Sequence, residues 1–470
     1  MPAPLRALLI ALAITTAFFA GALYFGNHRG LGPASERLSL GDQVASLTLN
    51  LGGQGVPDNE LLRIAFDQVE HAYYKEVDPR TLIKGERTGL LSYLKDTLKK
   101  KNVTPILPPA AAGNDETQAI AALDQELAYA RVHYAPLGAA AGDLTQAALT
   151  GMLKSLGDPY TEYLSPQQIG ALNEQLNGGD FGGVGVFIYQ LKNGQIILQP
   201  IPDLPAARSG MHDGEVIETI NGSPIKGFSL EHVERLIRGP EGTQVTLKTH
   251  PYKGTVTHVF RITREIIHVP TVHAKMENGY DYIRLSDFGQ TSAAEIRKAL
   301  LSGKSKGAKG YIVDLRFNGG GLLDAAVDIS SYFVPHGTIV TEIDRAGARD
   351  AKGATGAYIS GLRPVVILVN GFTASASEIT AGALQDYKAA TLIGTQTYGK
   401  GVVQGIYTMP NGGALKITTE RYLTPSGRDI QHKGIAPDHI ITQAADYRLI
   451  DTPADKQLRA AKTYLDRFTR

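Results

Sequence analysis

From Tyr282 to about residue 445, short apolar segments alternate with helix-length ones, and that alternation fixes the fold class. GYIVDLRF reads as a buried strand, and TIVTEI, PVVILVN and ATLIG as further strands. LLDAAVDISSYF, directly after Gly319-Gly320-Gly321, and the stretch that follows Ser375 carry the period of helices. Strands and helices taken in turn build a layered α/β sheet.

Upstream the texture differs twice. Between Phe181 and about Arg264 the chain breaks into short alternating strands (VGVFIYQ, QIILQPI, GEVIETING, QVTLKTH, THVFRIT) with one helix, SLEHVERLIRG. Gly-rich turns between them describe a small, partly closed β-domain. From Asp58 to Leu98, and again over about 117–172, the apolar spacing is helical, with an Ala/Pro loop at Pro105–Asp115. VDPRTLIKGERTGLLSYLKD near residue 77 parallels AGDLTQAALTGMLKSLGD near residue 141, which reads as a weak internal repeat or as two similar amphipathic helices. Ser92 and Lys95 there fit S-x-x-K, a chance match inside an amphipathic helix.

At 470 residues the chain exceeds a single core. The expected division is an N-terminal anchor or signal segment (1–29), a linker (30–56), a helical region (57–173), the β-domain (174–266), the α/β core (267–445) and a helical tail (446–470). Arg6 precedes nineteen uncharged residues, Ala7–Phe25, followed by Asn27, His28 and Arg29. That length suits a membrane-spanning anchor or a long signal core. The anchor is favoured because Leu23-Tyr24-Phe25 prolongs the apolar run past the small residues Ala20-Gly21-Ala22. The body is therefore expected outside the cytoplasm. With 47 basic against 46 acidic residues there is no electrostatic case for nucleic acid, and the absence of cysteine excludes disulfides, thiolate catalysis and Cys-type metal sites.

The chemistry concentrates in SASEITAGALQDYKAATLIGTQTYGK, Ser375–Lys400, with Gln404 four positions on. Ser375 sits at the mouth of an amphipathic helix, where unpaired N–H groups can hold a developing oxyanion, so Ala376 is one candidate donor. The bland alternative is a plain helix cap. DLRFNGGG, Asp314–Gly321, ends a buried strand in three glycines, and either Gly320 or Gly321 would supply a second amide. Lys400, flanked by glycines, is the candidate base; it can accept a proton only if burial keeps it neutral. Gln404 is placed to hold the lysine amine by a hydrogen bond. Asp386 shares the face of Ser375 but lies about 16 Å along the helix, which suits a supporting ion pair better than a triad role. Upstream, FGGVGV presents the amides of Gly182, Gly183, Val184, Gly185 and Val186 as a nest for a chain-terminal carboxylate, with the peptide added as a strand.

These blocks, with GMLKSLGDPYTEYLSP, PAARSGMHDGEVIETING, LIRGPEGTQVTL and TTERYLTPSGRDIQHKGIAPD, stand in the order found in carboxyl-terminal processing proteases. Over about residues 145–440 the chain resembles that family, the S41 peptidases. The resemblance implies Ser375 as nucleophile, Lys400 as general base, Gln404 as its orienter, and Ala376 with Gly320/Gly321 as oxyanion donors. It also implies a PDZ domain over about 174–266 that regulates access and binds substrate C-termini, inserted in a crotonase-like α/β core. Departures are Gly214-Glu215 where Gly-Asp is usual, Phe372-Thr373 ahead of the nucleophile block, and a longer helical N-terminal region.

The reading is a serine endopeptidase without metal or cofactor, acting on protein or peptide substrates near their C-termini. Its expected setting is the bacterial periplasm or cell envelope, anchored to the inner membrane, as a homo-oligomer with an activating adaptor. The alternatives are a catalytically silent, membrane-anchored PDZ scaffold and a hydrolase of non-peptide acyl substrates.

Overall fold

The computed structural model describes residues 23–24, 57–109, 116–176, 181–191, 193–268 and 270–468. Apart from Leu23–Tyr24 (β1), the apolar run Ala7–Phe25 and the linker over 30–56 lie outside these residues.

Four helices open the described chain: α1 (Asp58–Ala72), α2 (Pro79–Leu98), α3 (Glu116–Tyr134) and α4 (Ala141–Lys154). Helix α2 starts cleanly because Asp78 accepts the Arg80 N–H and Pro79 occupies the first turn. The two segments that align in sequence, α2 and α4, pack on each other. Their matching glycines meet: a Cβ on Gly89 would lie 2.8 Å from the Gly151 Cα, and one on Gly151 2.6 Å from the Gly89 Cα. Only glycine permits that approach.

A short strand, β2 (Glu162–Leu164), and helix α5 (Pro166–Leu176) lead into the β-domain. Its elements are β3 (Phe181–Gly183), β4 (Val186–Gln190), β5 (Ile196–Pro200), α6 (Pro205–Arg208), β6 (Glu215–Ile220), β7 (Ser223–Pro224), α7 (Leu230–Ile237), β8 (Gln244–Pro251), β9 (His258–Thr263) and β10 (Glu265–Ile267). The sheet runs β4-β5-β6-β8-β9, with β7 on β6, and closes over a core that includes Leu198, Val233, Val245 and Leu247. Strand β3 pairs antiparallel with β10, so the segment's two ends leave side by side.

The α/β region that follows holds two sheets. The first is built from β11 (Val272–Glu277), β12 (Tyr280–Leu285), β13 (Tyr311–Asp314), β16 (Val365–Val369), β17 (Thr391–Gly394) and β20 (His439–Ile440). Every pair from β12 to β20 is parallel. Parallel strands need both faces covered, and the sequence delivers this with a period of two. Val313, Val365, Ile367 and Val369 face helices α8 (Ser292–Ser305), α9 (Leu323–Ser331) and α10 (Ala376–Asp386). Ile312, Val366 and Leu368 face the C-terminal helix α11 (Lys456–Leu465). Each such fully buried side chain contributes roughly 1.5–3 kcal/mol.

The second sheet runs β1-β18-β19-β14-β15, where β14 is Thr338–Ile343, β15 Arg349–Gly353, β18 Val402–Thr408 and β19 Ala414–Leu423. Strand β1 pairs in parallel with Gln404 and Gly405 of β18, and β2 pairs antiparallel with β19. Leu415, Ile417 and Met409 share one core with α1 to α4, so the helical region is packed onto this sheet.

Candidate active site

The candidate site forms where the two sheets meet. Strand β16 runs out at Val369, turns through Asn370–Ala374, and enters α10 at Ser375. Strand β13 ends beside it in the Gly319–Gly321 loop, while the second sheet delivers Lys400 just before β18. Ligand sites in such folds gather beyond the carboxyl ends of parallel strands.

The Asn370–Ala374 turn is pinned from within. Asn370 Oδ1 accepts the N–H groups of Phe317 and Phe372, and the Thr373 hydroxyl donates to Leu315 O at 2.9 Å. Ser375 itself adopts φ 58°, ψ −119°, a conformation a side chain resists at a cost of about 1–3 kcal/mol. Such strain persists only where surroundings impose it, and here two buried side chains do so. Glu378 Oε2 accepts the N–H of Ser375 at 2.9 Å and of Lys400 at 2.8 Å. Its other oxygen accepts the Gly399 N–H at 2.8 Å and the Thr397 hydroxyl at 2.5 Å. On the carbonyl side the Tyr422 hydroxyl lies 2.6 Å from Lys400 O and 3.2 Å from Ser375 O. The backbones of the candidate nucleophile and base are thus clasped together at both polar groups.

Sequence reasoning passed over Glu378 and Tyr422. The S-x-x-E spacing from Ser375 to Glu378 is the capping-box signature and was available to flag the first; no local signal marks the second, 22 residues beyond Lys400.

Lys400 is 4% exposed, with its Nζ 4.6 Å from the centre of the Tyr160 ring. Burial, reinforced by the Lys416 ammonium, pushes its amine down to about 7, while Asp158, Glu162 and Glu378 pull the other way. An amine so placed is substantially neutral at physiological pH, the state a base requires. Burial pushes the Glu378 carboxyl up, against the pull of its four donors.

Several expected contacts come out differently. The bond from Gln404 to the lysine amine is not made: both polar atoms of its side chain are buried and have no hydrogen-bond partner among the described residues. Gln404 lies in β18 opposite Thr418 of β19, just after a shift in strand register between Val403 and Gln404. Of the two glycine amides, that of Gly320 is already spent, donating to Asn318 Oδ1 at 2.9 Å. Gly321 and Ala376 donate to nothing among the described residues. Gly320 instead matters for shape, since a Cβ there would sit 2.8 Å from the Ser375 Cβ and 2.9 Å from Ala376 N. Asn318 also accepts the Ala374 N–H and the Ser377 hydroxyl on its carbonyl, so it ties the glycine loop to the Ser375 turn. Asp386, at the far end of α10, pairs with Arg428 and accepts the Ser426 N–H at 2.9 Å.

In the β-domain, Gly182 and Gly183 belong to the β3–β10 ladder, and the Gly182 carbonyl accepts the Gly239 N–H. They are structural rather than part of a free nest. The amides of Val184 and Gly185 stay outside any ladder, next to Val186 at the start of edge strand β4.

Comparison with known proteins decides the family. Residues 279–441 match the profile of Peptidase family S41, and residues 196–249 that of a PDZ domain. The chain is 37% identical over 325 residues to the carboxyl-terminal-processing protease of Synechocystis sp., covering 67% of this chain and 76% of that protein. The chain belongs to peptidase family S41. The carboxy-terminal-processing protease of Bartonella bacilliformis is 38% identical over 308 residues, covering 64% of this chain and 70% of that one. Among solved structures, the photosystem II D1 C-terminal processing protease shares 28% identity, covers 85% of this chain and 98% of its own, and superposes with a TM-score of 0.44. This peptidase is accordingly a serine protease of the carboxyl-terminal processing family, a mixed α/β protein carrying a PDZ domain, and its substrates are proteins or peptides.

Proposed function

We propose that this peptidase cleaves extracytoplasmic proteins near their C-termini through a Ser375/Lys400 acyl-enzyme mechanism, with the PDZ domain governing access. The observation that carries the reading is a buried lysine, its amine pushed down to about 7, whose backbone is clasped to that of a strained serine through Glu378. In the first step Ser375 Oγ attacks the scissile carbonyl and its proton passes to the Lys400 amine. The amides of Gly321 and Ala376 donate to the oxyanion. Lys400 then returns the proton to the leaving amine, and the acyl-enzyme is released by water activated the same way. Gln404, buried with an unsatisfied amide beside this site, is available to a group that arrives with substrate.

The outer edge of β4 suits an extended peptide added as a strand, whose terminal carboxylate would meet the Val184 and Gly185 amides. The paired exits of the domain through β3 and β10 give it a single hinge-like attachment, a fitting place for a gate. The apolar run Ala7–Phe25 supports anchoring in the inner membrane with the catalytic body in the periplasm. A homo-oligomer and an activating adaptor complete the reading.

Turnover of an unfolded substrate such as casein tests it. Ser375→Ala and Lys400→Ala should each reduce kcat at least 1000-fold, and the wild-type rate should fall below about pH 7 as Lys400 takes up a proton. Full activity in Lys400→Ala would overturn the mechanism, and an inert wild type, with or without partner proteins, would favour the scaffold. Removing residues 174–266 should change the rate on short peptides; an unchanged rate would remove gating.

A further inference from the structure

The neighbour that most strongly opposes charge on Lys400, after burial itself, is another buried lysine. Lys416 lies in β19, 4% exposed along its side chain, and is ion-paired to Glu162. The pairing is built into the fold, because Lys416 and Glu162 face each other across the β19–β2 ladder. On the same sheet face, Ile406 opposes Lys416 and Gln404 opposes Thr418, whose N–H donates to the Thr161 hydroxyl at 3.0 Å. Tyr160, next in the chain, places its ring against the Lys400 amine. Asp158 fixes this stretch by accepting the Thr161 hydroxyl at 2.7 Å and the Tyr160 N–H at 3.0 Å. The segment Asp158–Glu162 follows the helical N-terminal region, yet through Tyr160 it packs against the lysine amine.

We propose that Lys416 and Glu162 are positioning residues for the peptidase reaction: the Lys416 ammonium keeps the Lys400 amine able to accept a proton, and Glu162 limits how strongly it does so. The inference rests on Lys400 being the base. The charged groups that act on the Lys400 amine are Lys416 from β19, Asp158 and Glu162 from the stretch after α4, and Glu378 from α10. Three of these four favour the protonated lysine, so Lys416 is the lone cationic counterweight among them. A second cation close to a buried amine is a recognised way to hold that amine neutral. Glu162 is 35% exposed along its side chain, so part of its charge is screened by water while Lys416 stays buried. The pair is therefore not electrically silent toward Lys400.

The two partners then predict opposite shifts. In the purified full chain, Lys416→Gln should move the acid limb of kcat/KM upward by about one pH unit. That means a roughly fivefold to tenfold loss at pH 7, recovered near pH 9. Glu162→Gln should move the limb downward and raise relative activity at pH 6. A purely structural ion pair would reduce activity alike in both variants at every pH. A second readout does not need turnover: competitive acetylation of Lys400 across pH, followed by mass spectrometry of its peptide, reports the midpoint directly. Midpoints that stay put, or move the same way in both variants, overturn the inference. If Lys400→Ala retains activity, the mechanism fails instead, and the acetylation midpoints still decide whether Lys416 acts on Lys400.

Discussion

Glu378 and Glu86 are both fully removed from solvent, one at the junction of the catalytic sheets and one inside the helical region. Glu378 receives four hydrogen bonds, three of them from backbone N–H groups. Glu86 receives none among the described residues, and Glu126, the carboxylate that acts on it most strongly, has one oxygen paired to Arg87 and the other buried without a partner. Burial, aided by the Glu126 charge, pushes the Glu86 carboxyl well above the ordinary glutamate range. The same residue type at the same depth is thus a scaffold in one region and a liability in the other. Deep burial of a charged residue does not mark function; the number of donors aimed at it separates the two cases.

Breaking the Glu378 side of the comparison should cost activity and stability together. Glu378→Gln leaves the side chain in place but turns an amide NH2 toward donors that need an acceptor. We expect kcat to fall at least about 100-fold with KM little changed, and stability to fall by about 3 kcal/mol. Steady-state kinetics alongside thermal melts check this; a variant that melts lower yet turns over normally would show that the clasp serves folding alone.

Lys400→Met sharpens the contrast from the opposite direction. An amine held at about 7 in the fold and about 10.5 in the open chain binds fewer protons folded than unfolded between those values. Stability of the wild type should therefore climb with pH across that window. The variant should lose this slope and gain roughly 3–5 kcal/mol at pH 7, read by denaturant titration at several pH values, while losing all activity. A wild type whose stability is flat from pH 7 to 10 would show that Lys400 is not held neutral.

What the sequence carried legibly was whatever is local. The apolar strands, the Ser375 and Lys400 blocks and the glycine loop all declare themselves within a few residues. The clasp does not, because Glu378 meets Gly399 and Lys400 from 21 and 22 residues away and Tyr422 meets Ser375 across 47. The segment Asp158–Glu162 is further still, with Thr161 bonded to Thr418 across 257 residues. Where local reading erred, a near neighbour had intervened: Asn318 captures the Gly320 amide, and the β3–β10 ladder claims Gly182 and Gly183.

The smallest expected effect tests the other carboxylate. Glu86→Met removes two oxygens that the helical region buries without partners and replaces them with an apolar chain of similar length. Because the folded carboxyl takes up its proton at higher pH than the unfolded one, wild-type stability should fall as pH rises above the ordinary glutamate range. The variant should be more stable by about 1–3 kcal/mol at pH 7, with the gap narrowing toward pH 4 and kcat unchanged. Denaturant midpoints at pH 5 and pH 8 measure it. A loss of stability on substitution would mean that Glu86 has donors after all, and the division between a scaffold carboxylate and a stranded one would collapse.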